Sequence, residues 1–373
     1  MNHSFDDAAI TYTRRILDAL RIDPVMLLLL GLLSIFGMML LYSASGANVD
    51  LILRQVVRLS MALVLLVVVA NVPLRALKKI STWIYLAGLL LLLAVMFFGE
   101  IGKGAQRWLD LGFIRFQPSE ILKLGVPMMV ASYLSDRTLP VGWKALIVSV
   151  ILVMIPVVMI ARQPDLGTAI LVGSGGFFVL FLAGIRWKIM LILGGLFSLM
   201  APLMWKFVLH DYQRTRIITL FSPESDPLGS GYHIIQSKIA IGSGGAYGKG
   251  WLNGTQSQLD FIPERSTDFI FSVFGEEFGF FGSILLILLY VAIIYRGLYI
   301  ASCSKENFGR LLAGALSLTF FVYLFVNIGM VAGMLPVVGV PLPLISYGGT
   351  SMVTLMMGFG LIMSIRSAKR FLG

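Results

Sequence analysis

Long apolar runs, most of them near 20 residues, alternate along this chain with short polar connections. About 20 apolar residues in a helix cross a hydrocarbon layer roughly 30 Å thick, and in lipid only a helix or a closed barrel satisfies its own backbone. The pattern predicts an all-α polytopic membrane protein with ten spans, roughly 24–43, 55–72, 82–99, 118–135, 144–161, 167–185, 188–208, 267–297, 309–331 and 345–365. The eighth is too long for one crossing. Its GEEFGFFG stretch predicts a short half-helix from Thr267 followed by a full span from about Phe280. Broken helices with charge at the break line a cavity inside protein, because lipid cannot satisfy the freed backbone.

The one long polar interlude, about 209–266, separates the seventh and eighth spans. The remainder, 24–373, reads as one transmembrane domain without internal repeats. Residues 1–23 form an arm in which Ile10, Ile16, Leu17 and Leu20 lie at helical spacing beside Arg14, Arg15 and Arg21. That spacing suits a helix on an anionic membrane surface, and equally a solvated tail.

Composition agrees. The chain is 58% hydrophobic and 13% charged, against about 25% charged in soluble domains, and its mean hydropathy is +0.90. A net charge of +10 would suggest nucleic acid in a soluble chain. Here the cations mark orientation instead. With the N-terminus inside, Lys and Arg crowd the inner connections (Arg75, Lys78, Arg137, Lys144, Arg186 and Arg366 among them). The short outer ones hold only Arg54, Lys103, Arg107, Arg115 and Arg162. The positive-inside rule then puts both termini in the cytoplasm and the long loop outside. The first run is too long for a signal peptide's apolar core and starts too late. Cys303 is the single cysteine, so neither an intrachain disulfide nor a cysteine metal site is available, and His3, His210 and His233 are scattered.

An ionisable group at the middle of a span costs about 2.5–3.5 kcal/mol and needs a partner or a wet cavity. Glu120 and Lys123 share a helix face at i, i+3, with Pro118 at the helix start. Spacing alone favours a structural ion pair; the alternative is a pair bordering a cavity. Asp165 in QPDLGT reads as a helix N-cap. Asp268, after Ser266 and Thr267, reads by position alone as dipole complementation in a first helical turn. A catalytic role would require desolvation or a nearby negative substrate to bring its pKa back toward the working pH. Arg214, Arg216, Lys238, Lys249 and Arg265 give the outer loop a basic character beside Tyr212, Tyr232, Tyr247 and Trp251. Such a mixture suits a diphosphate headgroup or anionic lipid in general. IGSGGAYGKG is not a nucleotide loop: Ser243 stands where the first Gly is required and Gly250 follows Lys249. It is expected to be a flexible Gly-rich loop. GMLPVVGVPLPLISYGGTS reads as a cavity wall or re-entrant turn, and Asn327 in the ninth span needs a partner.

GAQRWLDLG, RFQPSEILK, QPDLGT, the DPLGSGYHIIQSKIAIGSGGAYGKGWLNGTQSQLDFIPERSTDFIF run, EEFG and GVPLPLISYGG resemble the SEDS (shape, elongation, division, sporulation) family. The similarity covers about 350 residues, from the first span to the last, and leaves out the N-terminal arm. It implies a ten-span peptidoglycan glycosyltransferase of the bacterial cytoplasmic membrane. Such an enzyme would polymerise lipid II during cell elongation at an outward-facing active site. The family's essential acid falls on Asp268, which reverses the positional reading. Glu120, Lys123 and Asp165 match family positions around the substrate. Arg107, Arg214, Lys238 and Lys249 are expected near headgroups. The implied partners are a class B penicillin-binding protein transpeptidase and other elongation-complex membrane proteins, with no nucleic acid. A divalent cation, Mg or Mn, would be held largely by substrate phosphates and one or two acids, with no tightly bound resident site. A lipid II flippase and a non-catalytic scaffold remain alternatives.

Overall fold

The computed structural model describes residues 20–102, 105–110, 115–207, 211–226, 229–259, 261–262 and 264–368. The expected surface helix of the N-terminal arm lies almost wholly outside them. Seven helices precede the polar interlude: α1 (Pro24–Ala44), α2 (Val49–Ala70), α3 (Leu74–Phe98), α4 (Ser119–Ser135), α5 (Trp143–Arg162), α6 (Leu166–Leu182) and α7 (Trp187–Phe207). Three follow it: α10 (Ile270–Ser302), α11 (Asn307–Val331) and α12 (Thr350–Ala368). Of these, α1, α2, α3, α5, α10, α11 and α12 are long and apolar enough to cross a membrane, while α6 is apolar but shorter. The apolar runs thus sit in a polytopic helical fold, in which α4 has 17 residues and a proline, Pro127, inside it.

Helix starts explain where the apolar reading missed. α2 begins at Val49 because Asn48 accepts a hydrogen bond from the Leu51 N–H, satisfying an otherwise orphaned donor. α3 begins at Leu74, so Lys78 and Lys79 lie inside it; an apolar window excludes them although the helix does not. Asp23 caps α1 through the Met26 N–H at 2.7 Å, with Pro24 in the first turn.

The interlude is not a loop. It folds into α8 (Asp211–Phe221), α9 (Ser230–Gly244) and a single turn at Thr255–Gln258. A small antiparallel sheet, β1 (Glu100–Gly102), β2 (Ala105–Asp110) and β3 (Arg115–Phe116) in the order β1-β2-β3, joins α3 to α4.

α11 is the most enclosed of the candidate spans and α2 the least. α11 packs on α10, α6 and α4, and α2 lies along α12. Gly360 allows that last approach, since a Cβ there would sit 2.6 Å from the Leu66 carbonyl oxygen. Large exposed side chains such as Leu28, Ile35, Val57, Leu90 and Leu285 cover the outside, as a lipid-facing surface requires.

The two ends of the bundle differ. At one end the fully buried Asp23 carboxylate accepts from Arg296, at 2.8 Å, and from Arg366, tying α1 to α10 and α12. The other end carries the sheet, α8, α9 and the irregular segment 333–349.

Candidate active site

Segment 333–349, the connection from α11 to α12, is too rich in proline and glycine for a helix or a strand. Its backbone is satisfied by side chains from the helices around it. The Tyr290 hydroxyl donates to the Pro343 carbonyl at 2.6 Å, and Asn327 Nδ2 donates to the Val340 carbonyl at 2.8 Å. Arg216 Nη1 donates to the Val337 carbonyl at 2.8 Å, and Ser346 Oγ accepts from the Leu342 N–H at 2.8 Å. The result is a strap laid across the end of the bundle, with Leu342, Leu344 and Ile345 buried beneath it. Leu344 is held at φ 63, a left-handed conformation that costs a residue of this kind about 1–3 kcal/mol and persists only where its surroundings enforce it.

The strap seats Asp268. This residue lies in the turn before α10, two positions ahead of Ile270, outside the helix. The turn is stitched to the strap by two bonds and to α11 by a third. Tyr347 N–H donates to the Ser266 carbonyl (2.8 Å), Ser346 Oγ to the Thr267 carbonyl (2.6 Å) and Asn327 Nδ2 to the Asp268 carbonyl (2.8 Å). The side chain is half-buried and stands against the exposed bend at Gly339, where a Cβ would lie 3.4 Å from Oδ2. Gly339 has φ 75, so the bend beside the carboxylate favours glycine. Behind the turn, the His233 ring of α9 stacks on Phe269 with centroids 5.3 Å apart.

The other expected site residues divide between this strap and elsewhere. Asp165 caps α6, accepting from Thr168 N–H at 3.2 Å, and its second oxygen accepts from Gln117 Nε2 at 2.9 Å. Arg107 on β2 lies 3.9 Å from that oxygen and donates to the Pro164 carbonyl. This group abuts the strap, because a Cβ on Gly167 would sit 2.8 Å from the Val338 carbonyl oxygen. Asp165 is therefore a cap, as spacing predicts, at the start of a helix that abuts the strap. Lys238 on α9 is exposed and overlies Gly333 at the start of the strap.

Glu120 and Lys123 form a buried ion pair at 2.6 Å on α4. The Lys123 ammonium lies 5.4 Å from the Tyr323 ring centroid, a cation–π contact. Lys123 and Tyr323 border a small, partly open pocket of about 30 Å³, lined otherwise mainly by apolar side chains including Leu316, Phe320, Leu355 and Phe359. Glu120 Oε2 has no hydrogen-bond partner.

Arg214 and Lys249 sit away from the acid. Arg214 donates to the Trp205 and Lys206 carbonyls at 2.9 Å and pairs with Asp211 at 3.2 Å, so it staples α8 to α7. Arg216, two residues on and so on the opposite side of α8, reaches the strap at Val337. Lys249 pairs at 2.7 Å with Glu276, whose carboxylate also accepts from Thr255 Oγ1 and the Gln256 N–H. The Gly-rich loop around it is pinned, which corrects the expectation of a flexible one. Lys249 N–H and Gly250 N–H donate to the Glu276 and Glu277 carbonyls, while Phe280 N–H and Phe281 N–H donate to Gly245 and Ala246. These bonds satisfy the backbone freed where α10 breaks at Gly279, φ 65 and ψ −161. The break falls where the sequence places it. Its acids both have partners: Glu276 holds Lys249 of the loop, and Glu277 accepts from Ser43 Oγ of α1.

Sequence reasoning passed over Gln117 and did not single out Arg216 among the loop's cations. Neither residue type signals its role, and only the fold brings them to the strap. Among the described residues no three His, Cys, Asp or Glu side chains converge as a metal site would require.

The architecture is that of a polytopic membrane protein whose chemistry-bearing side chains gather at one end of an all-α bundle. More particularly, the chain belongs to the FtsW/RodA/SpoVE family, described as cell cycle proteins, whose model matches residues 21–371. It is 51% identical over 355 residues to the peptidoglycan glycosyltransferase MrdB of Escherichia coli K12, covering 95% of this chain and 96% of that protein. The Helicobacter pylori protein of the same name is 35% identical over 347 residues, 91% of this chain and 89% of its own. Among solved structures, one chain of a peptidoglycan synthase complex that coordinates polymerization and crosslinking superposes with a TM-score of 0.80 at 33% identity. That match covers 93% of this chain and 98% of that one. The Thermus thermophilus rod shape determining protein RodA gives 0.70 at 30% identity, with 92% and 96% covered.

Proposed function

We propose that this chain is a peptidoglycan glycosyltransferase of the inner membrane that polymerises lipid II during cell elongation, with Asp268 as the general base. The observation that carries the base assignment is the seat of Asp268. Its side chain is half-buried at the exposed Gly339 bend of a strap that Arg216 reaches at Val337, Lys238 reaches at Gly333, and the helix capped by Asp165, with Arg107 beside it, meets at Val338. Both bundle ends are water-facing in a ten-span topology, and the strap end is the outer one.

In this reading Asp268 takes the proton of the acceptor GlcNAc 4-hydroxyl as that oxygen attacks C1 of the donor MurNAc. A new C1–O bond forms, the C1–O bond to the diphosphate breaks, and undecaprenyl diphosphate departs with the electron pair. The anomeric centre inverts. A diphosphate leaves readily, so one base suffices where a glycosidase needs two carboxyl groups. Arg216, Lys238 and Arg107 would counter the charge that builds on the phosphates. The described residues offer no resident metal cluster, so a divalent cation would take most of its ligands from substrate phosphates. A class B penicillin-binding protein is the proposed crosslinking partner.

The test is polymerisation of labelled lipid II by purified protein in detergent, with and without that transpeptidase. The expected result is a glycan ladder that disappears in Asp268→Ala and Asp268→Asn while both variants keep the parent's melting temperature. A ladder of normal intensity from either variant overturns the base assignment. A lipid II flippase or a scaffold would give no ladder with the parent protein.

A further inference from the structure

Asn327 is fully buried in α11 and donates both amide hydrogens, each at 2.8 Å, to main-chain carbonyls outside its own helix: Asp268 and Val340. We infer that Asn327 is a positioning residue for the proposed base, joining the turn that carries Asp268 to the strap that its carboxylate faces. The inference rests on the assignment of Asp268 made above.

Other buried polar side chains of α11 behave differently. Ser317 Oγ donates to the Ala313 carbonyl and Thr319 Oγ1 to the Ala315 carbonyl, both at 2.8 Å. Those bonds satisfy the hydroxyls within the helix and fix nothing else. Asn327 cannot satisfy itself that way, and its Oδ1 has no partner at all. Both of its neighbours are carbonyl oxygens, so the nitrogen must face them. Leaving one acceptor unmet inside the bundle is costly. The arrangement is intelligible if the two donors serve geometry, because neither bonded segment has a helix or sheet ladder to hold it. Without Asn327 the turn 264–269 would be held to the strap only upstream of the acid, by Tyr347 N–H on the Ser266 carbonyl and Ser346 Oγ on the Thr267 carbonyl, and Oδ2 of Asp268 would be free to shift from the bend at Gly339. Of those two, Ser346 makes the side-chain stitch nearest the acid, one residue upstream of it.

Misplacing a reacting group by about 1 Å costs on the order of 100-fold in rate. The experiment compares Asn327→Asp, Ser346→Ala and Asp268→Asn with the parent in the lipid II polymerisation assay, measuring kcat, KM and melting temperature. Asn327→Asp keeps the shape but replaces the double donor with an oxygen that repels both carbonyls. The expected result is a kcat lowered about 10- to 100-fold with KM for lipid II unchanged within twofold. Ser346→Ala should show the same kcat-only signature more weakly, and it keeps the test open if Asn327→Asp does not fold. An inactive Asp268→Asn beside either variant with parental kcat overturns the positioning role and leaves the base assignment standing. An active Asp268→Asn overturns the base assignment, and the positioning role with it. A KM that rises in step with falling melting temperature would make Asn327 a packing residue only.

Discussion

Lys123 and Lys249 each face a glutamate at nearly the same distance, 2.6 and 2.7 Å, but in different surroundings. The Lys123 and Glu120 side chains are only 6% and 5% exposed, and one Glu120 oxygen already lacks a partner. Removing one member of such a buried pair costs about 3–5 kcal/mol, because the other charge is left uncompensated. The Lys249 side chain is 28% exposed, and Glu276 keeps Thr255 and the Gln256 N–H when the lysine goes. Glu276 is itself fully buried but keeps those donors, so the loss should cost about 2–3 kcal/mol, below the cost at Lys123. Lys123→Met is therefore expected to lower the melting temperature in detergent below that of Lys249→Met, and the reverse order would sink this account of the two pairs. The i, i+3 spacing makes the first pair legible in the sequence. The second joins residues 27 positions apart and leaves no periodic trace, which is why Lys249 reads there as a headgroup ligand. Asp268 shows a third case, since position suggests a first-turn residue and only the fold places it in the preceding turn.

The elements best read from sequence are those whose signal is steric. Gly279 within a long apolar run, beside two acids, marks the break in α10, and the prolines of 333–349 mark the strap. Helices α8 and α9 escape notice because their polar and apolar positions mix. The sheet at 100–116 escapes because its strands are two to six residues long and show up only through pairing. The same sterics give a test. A Cβ on Gly279 would lie 2.3 Å from the Gly248 nitrogen and 2.8 Å from the Tyr247 carbonyl carbon, and its φ and ψ belong to a region occupied almost only by glycine. Gly279→Ala must therefore move either the break or the pinned loop, at a cost of about 3 kcal/mol or more. Limited proteolysis should then cut within 244–258 in Gly279→Ala and spare the parent. Equal protection in both would show that the loop does not depend on the break.

At the scale of the whole bundle, one end is tied and the other carries the candidate site. Asp23, Arg296 and Arg366 knot three helices at the first end, where the sequence also places most of its Lys and Arg. At the second, α9, the strap and the pinned loop are organised around Asp268 and Glu276. Charge in the connections made this polarity legible without coordinates, because the positive-inside rule acts on composition near span ends and not on packing. What it could not reveal is which cations of the strap end meet, since that depends on contacts between distant segments. The inferred orientation puts Cys303, the partly buried residue that follows α10, on the cytoplasmic side, and Tyr247, 84% exposed in the pinned loop, outside. Because the chain has one cysteine, two proteins decide the matter: the parent, and a Cys303→Ser, Tyr247→Cys variant. A membrane-impermeant maleimide applied to spheroplasts should label the variant at once and the parent only after the membrane is permeabilised. Labelling of the parent before permeabilisation would turn the bundle over and place Asp268 on the cytoplasmic side, away from the wall that its product would build.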